Sequence, residues 1–512
     1  MGLVGRIGVR VSHLEAHRTA RAPACGSQRE GAGRARPDAG GRRTVRSSVT
    51  DLVVTGGTVV TAARSFSADV AVADGKVEAV APGLVVRSPQ AQIIDANGLL
   101  VLPGCIDVHT HVRLPSDEEP DRFYQDSVGA AFGGTTTFLA FNNPGTGISE
   151  EGAGSLLRGL QEFRDRTEGE SVVDFGLSAV IGGQQEDPIS ELPALIASGV
   201  PSFKAFMVYD FRLPDERLYQ ILRTAEAHGG MLQVHCENAI IIDALVADAL
   251  AAGDVAARYH AETRPTYAEA EATHRAIALA RAARASVYIV HLSSADALAE
   301  VVTAKARGWP VYAETCPHYL ALTADRYASP DEAQVIRSVI SPPLRTDADR
   351  RALWLGLRAG GLDLIASDHV PDRLAVEKRM PAPPFPQISN GAPGIETLLA
   401  IVHGVGAARG ELGLERMVDL LATTPARLFG LQDKGAIEAG KDADLLLFDA
   451  SAQRTIRQAD LHHTSDFTPF EGMEMRGSVR TVLLRGRPVI RDGLFVGRRG
   501  AGRFLERTPA ST

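Results

Sequence analysis

From Asp51 the chain runs through two hydrophobic rhythms. The first is strand-like: Leu52-Val53-Val54 and Val59-Val60 about Gly56-Gly57, Ala68–Val72 and Val77–Val80 about Asp74-Gly75, Ile93–Asp95 and Leu99–Val101 about Asn97-Gly98. Asp-Gly and Asn-Gly supply the positive φ angles of two-residue hairpins, so the spacing predicts short strands reversing at each pair. Between about 103 and 430 the rhythm lengthens. Apolar runs at Cys105–Val108, Thr135–Phe141, Val173–Val180, Phe203–Val208, Met231–Val234, Ser286–Val290, Val311–Glu314 and Leu362–Ala366 are separated by stretches with helical spacing, such as Glu216–Ala227, Tyr267–Arg284 and Ala295–Arg307. Eight such strands alternating with helices predict an α/β protein with a parallel (β/α)8 TIM-type barrel. An open doubly wound sheet is the alternative, but no Gly-x-Gly-x-x-Gly opens a helix after a strand. After Gly430 the strand pattern returns at Leu445–Phe448, Thr481–Leu484 and Val489-Ile490. Neither flank can bury its own faces. Residues 51–102 and 431–497 are therefore expected to form one small β-sandwich beside a barrel spanning 103–430, with 498–512 as a C-terminal tail.

Composition narrows the class. The chain has 512 residues, 45% of them hydrophobic and 23% charged, which is the make-up of a globular enzyme with ample core. Its net charge of −8, with no long basic stripe beyond the N-terminus, argues against nucleic acid as a partner. No apolar run reaches the ~18 residues of a membrane span. Cys25, Cys105, Cys236 and Cys316 lack a paired spacing, the usage of a reducing compartment, so a cytoplasmic protein is expected. Residues 1–50 differ: rich in Arg, Gly, Ala and Ser, free of Lys and without a sustained hydrophobic period, they read as a disordered N-terminal extension.

The chemistry gathers where the apolar runs end. Leu99–Leu102 leads into Pro103-Gly104-Cys105-Ile106-Asp107-Val108-His109-Thr110-His111, and residues two apart on a strand share a side, so His109 and His111 present two imidazoles together. Met231–Val234 runs into His235, Tyr288–Val290 into His291, and Leu364–Ser367 into Asp368. Any one of these could be a polar residue opening a loop. Four histidines and an aspartate at corresponding tips of four strands point to a metal site. Lys204 sits inside the apolar run Phe203–Val208, and a lone buried ammonium must be paired, deprotonated or modified. Carbamylation by CO2 would turn it into an anionic group able to bridge two metals. Arg113 could pair with Asp117, Glu118 or Glu119 in its own loop, or offer its planar fork to a substrate carboxylate.

Gly104–His111, Phe203–Met207, His235-Cys236-Glu237-Asn238, His291-Leu292-Ser293-Ser294 and Ser367-Asp368-His369 resemble the signatures of the cyclic amidohydrolases, the branch of hydantoinases/dihydropyrimidinases, allantoinases and dihydroorotases. The resemblance covers Asp51 to about Gly497. It implies two divalent metal ions, zinc foremost: one held by His109, His111, carboxylated Lys204 and Asp368, the other by Lys204, His235 and His291. It further implies hydrolysis of a small cyclic amide or imide, with Asp368 carrying the proton and Tyr209 donating to the developing oxyanion. Ser341 and Asn390 match the positions that hold the ring's imide in hydantoinases. Arg113 and Asn143 match the carboxylate-binding pair of dihydroorotases, and the stretches after His235 and Glu314 are similar to allantoinases, which usually lack the equivalent of Tyr209. The expectation is a hydantoinase/dihydropyrimidinase-like enzyme, with allantoinase- or dihydroorotase-like hydrolysis as the alternative. A metal-free scaffold of the collapsin response mediator type is the alternative from another class, and the filled ligand positions weigh against it. The resemblance also implies a homo-oligomer, commonly a tetramer.

Overall fold

The computed structural model describes residues 50–85, 88–141, 154–183, 185, 187–381 and 383–509. The 1–50 extension (apart from Thr50), Asn143 and the last three residues of the expected tail lie outside the described residues.

Five strands open the described chain: β1 (Leu52–Val60), β2 (Ser65–Ala73), β3 (Lys76–Ala81), β4 (Gln92–Asp95) and β5 (Leu100–Pro103). The Asp74-Gly75 hairpin forms as the spacing predicts, with φ of 52° and 76° at its two residues. The other two glycine pairs behave differently. Gly56-Gly57 does not end a strand: β1 runs through it, with Gly56 at φ 74° and a register shift between Val54 and Gly57, a bulge and not a turn. Asn97-Gly98 makes a jog. Strands β4 and β5 both lie parallel to β1, so the chain passes along one edge of β1 instead of folding back on itself.

The chain then enters β6 (Cys105–Thr110), β7 (Thr135–Ala140), β8 (Asp174–Leu177), β9 (Ala179–Val180), β10 (Ser202–Phe206), β11 (Met231–His235), β12 (Val287–Ile289), β13 (Val311–Thr315) and β14 (Leu364–Ile365). These form two parallel sheets, β6-β7-β8 and β9 through β14 in sequence order. The single run expected at 173–180 divides into β8 and β9, with Ser178 N donating to Ala140 O at 2.9 Å. At the other edge Thr110 makes a parallel bridge with His369, and His111 N donates to His369 O at 2.7 Å. Nearly every residue of these strands is buried, because helices such as Asp215–Ala227, Thr266–Ala283 and Ala295–Ala306 intervene between them.

The last strands, β15 (Leu445–Thr455), β16 (Glu474–Leu484), β17 (Arg487–Arg491) and β18 (Leu494–Phe495), join the first five in one nine-stranded sheet. The seam is β15 against β5, antiparallel from Leu445 opposite Pro103 to Phe448 opposite Leu100. Leu52, Val54 and Val59 pack with Leu445, Leu447 and Leu483, so the two distant segments supply one core that neither could close alone. The segment expected as a tail is packed over its described part. Phe175 N donates to Arg503 O at 3.0 Å, Leu505 N to Phe175 O at 2.7 Å, and the buried Arg507 side chain reaches Ser202 Oγ at 2.9 Å.

Lys434 ties the nine-stranded sheet to β8. Its ammonium lies 2.5 Å from Asp174, 2.9 Å from Asp442 and 2.7 Å from Asp444, with Arg485 also on Asp174. These three aspartates approach one another as metal ligands would, but Lys434 reaches all three, with Lys76 also on Asp442 at 2.7 Å. Lys434→Met should leave buried Asp444 without an ion-pair partner among the described residues and destabilise the fold by about 3–5 kcal/mol, read as a lowered denaturation midpoint. An unchanged midpoint would show that Arg485 and Lys76 suffice to compensate the three aspartates.

Candidate functional site

The side chains singled out at the strand ends converge. His109 is the fifth residue of β6 and His111 lies just past it; Lys204 is central in β10; His235 ends β11; His291 follows β12 by two residues; Asp368 follows β14 by three. His109 Nε2 lies 3.0 Å from Asp368 Oδ1, which is 3.5 Å from His111 Nε2. Lys204 Nζ stands 3.3 Å from His109 Nε2, and His291 Nε2 stands 2.9 Å from His235 Nδ1. The His109 and His291 rings are 5.3 Å apart, so the two groups adjoin. Three of the eight described non-glycine residues with positive φ are here: Tyr209 at 75°, His291 at 37° and Asp368 at 49°. Left-handed backbone at such residues is strained, and the strands around them hold it in place.

The donor atoms suit a cation. Glu314 binds Nδ1 of His109, is held in turn by the Tyr288 hydroxyl at 2.6 Å, and accepts from His291 N at 3.2 Å. With Nδ1 so engaged, Nε2 of His109 points with Asp368 Oδ1 and His111 Nε2 toward one place. His235 gives Nε2 to Glu237 at 2.7 Å, leaving Nδ1 facing His291, whose own Nδ1 has no hydrogen-bond partner among the described residues. Burial pushes the His111 imidazole down to about 4 and holds His235 and His291 below the usual histidine range, so their lone pairs are free to coordinate. Burial opposes ionisation of Asp368, but His109, His111 and His291 outweigh it and keep the carboxyl well below its ordinary value. Burial also lowers the Lys204 ammonium to about 8; it makes no ion pair among the described residues and lies 4.8 Å from the Phe141 ring centroid. His109, His111 and Asp368 are thus a candidate group for a divalent metal.

Beside this cluster opens a cavity of about 670 Å³, lined among others by Arg113, Tyr209, His260, Arg264 and Asn390. Asn390 Nδ2 donates to the Tyr209 hydroxyl at 3.0 Å and to Ser341 Oγ at 2.9 Å, so these three expected site residues meet at one edge. Burial raises the Tyr209 hydroxyl above its usual range, so it remains a donor at neutral pH. Arg113 takes none of the three partners expected from its loop: Nη2 donates to buried Asp372 at 3.0 Å. Glu119 instead accepts from Arg122 and Arg373.

Apart from Glu314, the supports of these groups have no signature in the sequence. Arg264 donates to Glu237 at 2.7 Å and lies 5.5 Å from the Tyr209 ring; His260 lies 3.1 Å from Ser341 Oγ. Both come from the 259–265 segment, which carries no strand-end signal. Glu314, a carboxylate inside an apolar strand, carried the same signal as Lys204.

A parallel α/β fold that collects imidazoles and a carboxylate at the C-terminal ends of its strands suits a metal-dependent enzyme. Comparison with known proteins agrees. The Amidohydrolase family model matches residues 100–489. D-hydantoinase of Streptomyces coelicolor is 38% identical over 467 residues, covering 89% of this chain and 97% of that protein. The crystal structure of dihydropyrimidinase from Brevibacillus agri superposes with a TM-score of 0.85 at 38% identity, covering 90% of this chain and 99% of that one. L-Hydantoinase (dihydropyrimidinase) from Arthrobacter aurescens superposes with a TM-score of 0.81 at 30% identity, covering 90% and 100%. The chain belongs to the amidohydrolase family.

Proposed function

We propose that this protein hydrolyses the C–N bond of a small cyclic amide or imide, as a hydantoinase/dihydropyrimidinase-type enzyme. The observation that carries the reading is the convergence of His109, His111, Lys204, His235, His291 and Asp368 beside a cavity lined by Tyr209 and Asn390, with Ser341 hydrogen-bonded to Asn390. In this reading the eight strand segments close as a (β/α)8 barrel, supported by the Thr110–His369 bridge and by Ser178 bonding to Ala140. His109, His111, Lys204 and Asp368 would hold one ion, and Lys204, His235 and His291 a second. Imidazole and carboxylate ligands favour zinc but accept other divalent metals. To bridge two ions Lys204 must become an anion: its neutral amine attacks CO2, the new N–C bond forms a carbamate, and one proton is released. When bound, such ions polarise a carbonyl and lower the pKa of water to about 7.

The chain's own residues supply the rest. Asp368, ionised and only slightly exposed, takes the proton of the attacking water and delivers it to the ring nitrogen as the C–N bond breaks. Tyr209 donates its hydroxyl proton as a hydrogen bond to the carbonyl oxygen as charge builds there. Ser341 and Asn390 offer donor and acceptor groups to the rest of the ring. Tyr209→Phe should therefore lower kcat by about 10²–10³-fold with little change in KM. A kcat within about twofold of wild type would remove Tyr209 from the oxyanion role.

Arg113, its charge matched by Asp372, gives little support to a carboxylate-bearing ring. Turnover of dihydrouracil, 5-substituted hydantoins, allantoin and dihydroorotate, measured side by side, tests the choice: activity on the first two is expected, and activity on dihydroorotate alone would overturn it. A homo-oligomer is part of the proposal. The helix Ala239–Ala252 is apolar, yet Ile240 is 80% exposed and Leu250 41%, a face suited to a second copy. Work in the reducing cytoplasm accords with Cys105, Cys236 and Cys316 being buried free thiols.

A further inference from the structure

The groups proposed to grip the ring come from two loops, one carrying Ser341 and the other Asn390. The loops touch directly: Ser341 N donates to Asn390 O at 3.0 Å, and Asn390 Nδ2 donates to Ser341 Oγ at 2.9 Å. Ser341 and Asn390 both lie outside regular helices and strands. A third element joins them. Lys378 is wholly buried, and its Nζ donates to Val339 O and to Ser389 O, both at 2.7 Å. Val339 is two residues before Ser341, and Ser389 is one before Asn390.

Lys378 is an expensive choice for such a place. Among the described residues it makes no ion pair; Asp372 acts on it from longer range, and the Phe467 ring centroid is 5.7 Å away. Burial pushes its ammonium down to about 8. An apolar side chain of the same length would fill the space without that desolvation, but it would leave the buried Val339 carbonyl and the part-buried Ser389 carbonyl without this donor. The lysine backbone is anchored as well, Lys378 N donating to Arg373 O at 3.0 Å and Met380 N to Leu374 O at 2.8 Å.

We propose that Lys378 is a positioning residue, whose Nζ clamps the Ser341 and Asn390 loops together and so sets the spacing of the hydroxyl and amide that seat the substrate ring. The inference rests on the function proposed above and deepens it. Lys378 does not touch the metal-ligand cluster. Both the ammonium and the neutral amine carry the two N–H donors the clamp needs, so its action does not depend on titration. Removing the donors frees the two loops, and a misplacement of about 1 Å in a binding seat can cost about 10²-fold. The seat holds substrate and transition state alike, so the loss belongs in KM.

The test compares full-length, metal-loaded wild type, Lys378→Met and Lys378→Arg on dihydrouracil and hydantoin, with metal content and melting temperature followed in parallel. Lys378→Met is expected to keep its metal, raise KM about tenfold or more and hold kcat within about threefold. Lys378→Arg keeps donors but not their spacing, and its KM should fall between the two. A folded, metal-loaded Lys378→Met with wild-type KM, or with its whole loss in kcat, would overturn the proposal. Should Lys378→Met fail to fold, Lys378→Arg decides: a raised KM at unchanged kcat upholds the clamp, and a wild-type KM removes it. A wild type inactive on every ring would instead overturn the functional reading, and the clamp with it.

Discussion

Lys204→Ala is expected to abolish metal binding and lower kcat/KM by about 10⁴-fold or more, beyond the upper end of what one acid–base group contributes. The reason lies in the position of the side chain. Lys204 is central in β10, wholly buried, 3.3 Å from His109 and close to the Phe141 and Phe206 rings, where a carbamate on its Nζ would reach both ligand groups. Without it, His109, His111 and Asp368 are left facing His235 and His291 with no shared ligand between them. Metal analysis of the purified variant is the direct measurement. A Lys204→Ala protein with full metal content and full turnover would dismantle the two-ion reading.

The second large effect is expected at Asp368. Asp368→Asn keeps the volume and one oxygen toward His109 and His111, but an amide cannot take up the proton that the carboxylate carries. Its kcat should fall by about 10²–10⁴-fold while KM moves little. Metal should be largely retained, which separates this variant from Lys204→Ala: the one loses the ions, the other loses the proton carrier. An Asp368→Asn enzyme with undiminished kcat would place the proton transfer elsewhere.

How far the site could be read beforehand differs residue by residue. His109 and His111 are legible because a strand's period of two forces them onto one side. Lys204 is legible as an anomaly, a cation in an apolar run, and Asp368 because it ends one. Arg113 was legible only in part: of its two expected roles, the local acidic pair gives way to Asp372, 259 residues away. Glu314, Glu237 and Arg264 were visible as residues, but their work is to orient imidazoles, and orientation has no periodic signature. Lys378 is the extreme case, since its partners are backbone carbonyls and no side chain advertises them.

The fold divides the same way. Alternating hydrophobicity and turn chemistry specified the Asp74-Gly75 hairpin and the succession of parallel strands and helices, because those depend on neighbours a few residues apart. Whether Gly56-Gly57 would bulge or turn, and whether Asn97-Gly98 would reverse the chain, was settled by β1, which offers its edge to both β4 and β5. Likewise the cation that reaches Asp174, Asp442 and Asp444 together is Lys434, chosen by packing. The amino-acid sequence alone determined which chemistry the strand ends could carry and in what order they arrive. Only the tertiary structure decided which atoms face one another, because hydrogen bonds and ion pairs act over about 3 Å between segments hundreds of residues apart.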